Sequence, residues 1–184
     1  YEVPATKEML YASVTDKENT TSSIELLYKL PRVTNVKIND FRDDIVKQLF
    51  SSMMNARLSE ISRKADAPFL AAGGGFGGFV RTKSTFDISA RCTETKFKIA
   101  LTVLMQEMER IRRHGFTQTE LDRVKADALD NIKRAYNERD KSPSSGYARE
   151  YVSNFLSKEP IPGIEKEYEY YTFFISQITL DEIG

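Results

Sequence analysis

The chain has one cysteine, one histidine and no tryptophan in 184 residues. A single thiol excludes an intrachain disulfide framework. A single imidazole excludes a self-contained metal site built on two histidines, and it leaves His114 as the one candidate for histidine acid–base chemistry. An excess of either charge is also missing, since 27 Lys and Arg balance 27 Asp and Glu. A balanced chain has no global field drawing it to nucleic acid or an anionic membrane. No apolar run approaches the ~20 residues of a membrane span. No charged segment followed by an apolar run reads as a signal peptide.

What is present is enough for a packed core. Hydrophobic residues make up 40% and charged residues 29%, with 11% aromatic, which is too apolar for intrinsic disorder. The length suits one domain. Near the end, Thr179-Leu180-Asp181-Glu182 fits the S/T-x-x-E capping box that opens a helix. A helix start this close to the last residue leads to the expectation that the sequence is a fragment of a longer polypeptide.

Periodicity sets out the elements. Met9 to Thr15 reads as a short strand, and Asp16 to Thr21 as a polar turn. Ile24, Leu26, Tyr28 and Leu30 alternate as in a strand with one buried face, ended by Pro31. Phe41, Ile45, Leu49, Met53 and Leu58 recur at helical spacing, which predicts a helix over about 39–64. Phe69 to Thr82 is apolar and Gly-rich. In Thr85 to Thr93, Phe86, Ile88, Ala90 and Cys92 face one way as a strand. Four helices follow. One runs over about 95–112 with Gly115 as its left-handed stop, and one from the capping box Thr117-x-x-Glu120 to about 140. Another is capped by Ser142-Pro143 and aligns Tyr147, Tyr151 and Phe155, and the last spans about 164–175. Paired strands followed by serial helices predict one α+β domain over 1–184, an antiparallel sheet with helices packed on one face.

Few motifs carry chemistry. Gly73, Gly75 and Gly78 satisfy G-x-G-x-x-G literally. The dinucleotide fingerprint needs a helix directly after the glycines, and a strand follows here. The better reading of Gly73, Gly74, Gly75, Gly77 and Gly78 is a strand or bulge that another backbone approaches closely. Such an edge can also pair with an extended peptide, so these glycines are candidate substrate or interdomain contacts. His114 in Arg112-Arg113-His114-Gly115 reads as a cation at a helix C-terminus. Cys92 reads as a buried small apolar residue. The acidic residues Glu159, Glu165, Glu167 and Glu169 alternate with lysines, which favours a solvated helix face.

Five segments in order resemble one known family. Thr15-Asp16-Lys17-Glu18-Asn19-Thr20 with Leu27-Tyr28-Lys29 resembles the first strands of the second domain of the pitrilysin/insulinase zinc metallopeptidases. Met54-Asn55-Ala56-Arg57-Leu58-Ser59-Glu60-Ile61 resembles the end of their long helix, N-x-R-L-x-E-[IL]. Gly115-Phe116-Thr117-Gln118-Thr119-Glu120-Leu121 is similar to a G-[FI]-T-x-x-E-L helix start. Tyr136 to Ser142 and Glu159 to Glu165 resemble a branch of large bacterial envelope-associated members.

The resemblance implies a pitrilysin/insulinase-type fold in a zinc metalloendopeptidase whose halves enclose unfolded peptides. The family's HxxEH zinc motif needs two histidines, so with only His114 this segment is expected to have no catalytic residues and no metal ligands. Zinc is expected in a separate domain. The family's substrate-holding Arg and Tyr positions fall at Ser62 and Phe69, with Arg63 out of register, which suits the domain directly following the zinc domain. The implied partners are that zinc domain, further domains of the chain and unfolded peptide, with no nucleic acid and no membrane insertion. The implied location is the periplasm or cell envelope. The alternative is a scaffold subunit of the same fold, similar to bc1 core subunits and without peptidase activity.

Overall fold

In the computed structural model, which describes residues 3, 4, 6, 8–32, 37–141 and 143–183, the clearest alternation in the sequence becomes the central strand. Strand β3 (Lys83–Cys92) is flanked by β1 (Ser22–Pro31) and β2 (Ala71–Val80), in the order β1-β3-β2. Both pairings are antiparallel, with Leu26 opposite Ile88 and Gly74 opposite the same residue on the other side. Ile24, Ile88, Ala90 and Cys92 share the buried face, as the period-2 pattern requires. β2 and β3 form a hairpin turning at Arg81-Thr82, with a register shift between Gly78 and Val80.

The strand predicted over Met9–Thr15 is absent. These residues form no ladder, and Tyr11 and Val14 are 90% and 94% exposed. A strand needs a partner for its backbone groups, and among the described residues β1 is paired along one edge only, with β3. The turn after it is real: the Asp16 carboxylate accepts from the Glu18 N–H at 2.9 Å.

The helices are α1 (Ile38–Ser62), α2 (Phe97–His114), α3 (Gln118–Asn137), α4 (Ser144–Ser157), α5 (Ile164–Gln177) and the short α6 (Leu180–Ile183). Gly115, at φ 62°, ends α2 as predicted, because a left-handed residue breaks the helical hydrogen-bond run without Cβ strain. The capping box opening α3 is complete. Thr117 Oγ1 accepts from the Glu120 N–H at 3.3 Å, and the Glu120 carboxylate accepts from the Thr117 N–H at 2.7 Å. Of the cap proposed for α4, Ser142 lies outside the described residues and Pro143 stands at the N-cap position.

The chain forms two compact units. One comprises the sheet, residues 51–62 of α1, and α2. Its core includes Met53, Met54, Leu58, Phe69, Ile88 and Leu104. The other comprises residues 38–50 of α1 and helices α3 to α6. Its core includes Ile45, Leu49, Leu121, Ile175 and Ile178. The fold is α+β, an antiparallel sheet with packed helices, and among the described residues no helix is long and apolar enough to cross a membrane.

Candidate functional site

β2 is an edge strand, and its glycines divide into two groups. A Cβ on Gly75 would lie 2.9 Å from Ser51 Oγ, and one on Gly73 would lie 3.1 Å from Asn55 Oδ1. Ser51 and Asn55 are one helical turn apart on α1. The missing side chains at 73 and 75 therefore let α1 come against the strand. Gly74 is tighter still, because a Cβ there would fall 2.1 Å from the Asp87 carbonyl oxygen. Gly77 and Gly78 differ, since a Cβ at either would meet nothing within 4 Å. Backbone thus comes close at Gly74, side chains of α1 come close at Gly73 and Gly75, and Gly77 and Gly78 face open space.

Asn55 organises this edge. Its Oδ1 accepts from the Gly74 N–H at 2.9 Å and its Nδ2 donates to the Gly74 carbonyl at 2.9 Å. The backbone groups of Gly74 therefore point away from β3. By the alternation of an antiparallel ladder, those of Phe76 and Gly78 point the same way. From Phe76 to Val80 the strand is exposed, with Phe76 41% and Phe79 48% accessible. This half of the edge is an exposed strand with aromatic surface beside it. Chemically it can hold an extended backbone, and it carries no nucleophile.

The other candidates take up structural positions. Cys92 is fully buried, and burial pushes its thiol pKa up, away from the reactive thiolate. His114 is exposed in the basic last turn of α2, and no hydrogen bond joins it to Cys92. Ser62 donates its hydroxyl to the Ser59 carbonyl at 2.8 Å, a local bond at the end of α1. Phe69 is 2% exposed and part of the core.

Two partners escape a sequence reading. Asn55 is one. The other is Glu107, 6% exposed on α2, whose carboxylate lies 3.4 Å from Arg57 and 3.7 Å from Arg110. The stretch Asn55-x-Arg57-Leu58 now has a physical account. Asn55 holds the strand, Arg57 neutralises a buried acid, and Leu58 fills the core. The motif marks these residues in the sequence, and their partners Gly74 and Glu107 lie too far along the chain to be read from it.

Comparison with known proteins decides the family. A family model described as the Peptidase M16 inactive domain matches residues 2–127. The chain belongs to that family. The "Zinc protease PQQL-like" of Arabidopsis thaliana is 30% identical over 185 residues, which cover 100% of this chain and 16% of that protein. The "Probable zinc protease PqqL" of Escherichia coli K12 is 25% identical over 188 residues, covering 98% and 19%. The chain thus spans under a fifth of the length of these curated relatives. Two solved structures share the fold. The periplasmic protease PqqL of E. coli gives a TM-score of 0.84 at 23% identity, over 91% of this chain and 19% of that one. An insulinase family protease from Yersinia pestis gives 0.79 at 13% identity, over 91% and 36%.

The relatives named as zinc proteases make a zinc site the natural question. Among the described residues, no three His, Cys, Asp or Glu side chains come together to hold a metal. The two-histidine, one-carboxylate set of such a centre does not fit a chain with one exposed histidine. No zinc chemistry is assigned to these residues.

Proposed function

We propose that residues 1–184 act as a single non-catalytic domain of a zinc metalloendopeptidase, walling part of the chamber that encloses peptide and supporting a separate HxxEH domain. The observation that carries this reading is the M16 inactive-domain match over residues 2–127, in a chain whose donors cannot assemble the zinc set. Within this role, the exposed end of β2 from Phe76 to Val80, with Gly77 and Gly78, is the segment that pairs with unfolded peptide or a neighbouring domain. The exposure of Phe76 to Val80 and the open space beside Gly77 and Gly78 support that assignment. Gly73, Gly74 and Gly75 serve it by seating the strand against α1.

A location in the bacterial cell envelope belongs to the same proposal. The likeness to a protein described as a periplasmic protease supports it, and fractionation of the source cells tests it. The decisive experiment is on the full-length parent protein. Gly77→Val and Gly78→Val are expected to slow cleavage of an unfolded peptide several-fold without lowering the melting temperature. Unchanged turnover in both variants removes β2 from peptide contact. Stoichiometric zinc and chelator-sensitive cleavage by the isolated 184-residue chain would overturn the non-catalytic reading itself.

A further inference from the structure

The helical unit holds a cleft of about 360 Å³, within the ~300–1,000 Å³ typical of small-ligand sites. The first turns of α1, the linker 158–163 and the start of α5 build it. The linker is set from both sides. Lys158 ends α4 in the left-handed region at φ 60°, and the Asn154 amide donates to the Glu159 carbonyl at 2.7 Å. On the aromatic side, Phe41 stands edge-on to Tyr170 with ring centres 5.9 Å apart at 68°. Three carboxylates line the same cleft (Asp44, Glu159 and Glu167) against the single ammonium of Lys37.

Glu167 is the telling residue. It is half-buried, and its side chain makes no hydrogen bond or ion pair to another described residue. Asp44, by contrast, pairs with Lys47 at 3.1 Å. Burial first, then the like charges of Glu150 and Glu159, raise the pKa of Glu167 above the usual carboxylate value. A fold gains nothing from such a group, and an incoming cation would compensate it. An anionic ligand meets three carboxylates here, and an uncharged apolar ligand would desolvate Glu167 further.

We propose that this cleft binds a basic side chain of a peptide, its ammonium or guanidinium facing Glu159 and Glu167 and its stem lying on Phe41 and Tyr170. Carboxylates supply the charge, and the ring faces supply an apolar bed with cation–π attraction. The proposed peptide-handling role is used only for the source of the cation.

Binding is tested on the full-length parent protein, with chelator present to stop cleavage. The probe is a fluorescent, acetylated Gly-Ser decapeptide with one central Arg, read by anisotropy. A second peptide carries neutral citrulline in place of that Arg. The Arg peptide is expected to bind about tenfold more tightly, the scale of one partly screened charge pair. Glu167→Gln is expected to remove most of the preference while leaving the melting temperature unchanged or higher, so lost folding cannot mimic the result. Phe41→Leu is expected to weaken the Arg peptide a few-fold. Equal binding of the two peptides, or an Arg preference that survives Glu167→Gln, overturns the proposal. Free arginine amide binding as tightly as the Arg peptide also overturns it, because the cleft then reads a small amine and not a peptide. Peptide turnover by the Gly77 and Gly78 variants is a separate readout, so either reading can fail alone.

Discussion

Asn55 grips Gly74 by both of its backbone polar groups, accepting from the N–H and donating to the carbonyl, each at 2.9 Å. The side-chain amide does for one residue of an edge strand what a neighbouring strand would do, since it has one acceptor and donors in the needed spacing. It closes the edge at Gly74 and leaves the next outward positions, Phe76 and Gly78, uncovered by it. The edge of β2 is therefore blocked at Gly74 by the fold itself, which limits the proposed pairing to its distal half.

Removing this amide strands both groups of Gly74 in a part-buried place. Asn55→Ala is expected to cost roughly 2–3 kcal/mol, because an unpaired buried donor or acceptor costs about 1–3 kcal/mol. Asn55→Asp keeps the acceptor and loses the donor, so its cost should fall between wild type and alanine. Urea denaturation of the three proteins gives the order. A neutral Asn55→Ala would show that water replaces the amide fully.

The glycines of β2 should separate under the same assay. Gly74→Ala forces a Cβ onto the Asp87 carbonyl, 2.1 Å away, and the strand must shift. A loss of several kcal/mol is expected, on the scale of overpacking or worse (~1–3 kcal/mol). Gly77→Ala adds its Cβ to open space. It should be neutral or stabilise by up to about 1 kcal/mol, since alanine narrows the unfolded ensemble. Equal losses at both positions would contradict the division of the strand.

Much of this fold was legible. β3 alternates strictly, α2 and α3 carry clean apolar stripes, and Gly115 and the Thr117 box mark their ends by local chemistry alone. The false strand at Met9–Thr15 shows the limit: local β propensity was there, and the partner that a strand requires was not. Side-chain partners far apart in sequence were illegible. Nothing local tells Asn55 that Gly74 faces it, or Arg57 that Glu107 is buried beside it. The alternating charges of 159–169 pointed to a solvated face, and two pairs agree, Arg139 with Glu165 and Lys166 with Glu169. Glu167 does not, because α5 turns it into the cleft lined by Phe41 and Tyr170.

Acid titration should single out Glu109. Hydrogen bonds from Arg112 at 2.7 Å and Arg113 at 2.6 Å lower its pKa to about 2. The folded value lies below the unfolded one of about 4.3, so the ionised pair favours folding at neutral pH. That contribution is complete above about pH 5 and is lost as the pH falls from there through about 2. The Glu109 carboxyl carbon, followed by NMR, should titrate near 2. The melting-temperature gap between wild type and Glu109→Gln should shrink over the same window. A midpoint near 4 would show that solvent screens the pair completely.

Arg57 and Glu107 give the sharpest test of the helix–helix contact in the sheet unit. Glu107 is 6% exposed, and of its two cationic neighbours Arg57 is largely buried and Arg110 largely exposed. Among the described residues, Arg57→Met leaves the buried carboxylate with only the outer arginine at 3.7 Å, and the loss should reach about 3–5 kcal/mol. Replacing both members removes the desolvation cost together with the attraction. Arg57→Met with Glu107→Leu should therefore recover to within about 1–2 kcal/mol of wild type, because a buried ion pair exchanged for packed apolar groups is often close to neutral. The coupling in this double-mutant cycle, read from denaturation midpoints, should be large and favourable to the pair. If the double variant instead loses the sum of the singles, the two residues act independently, and the role assigned to Arg57 within the N-x-R-L motif fails.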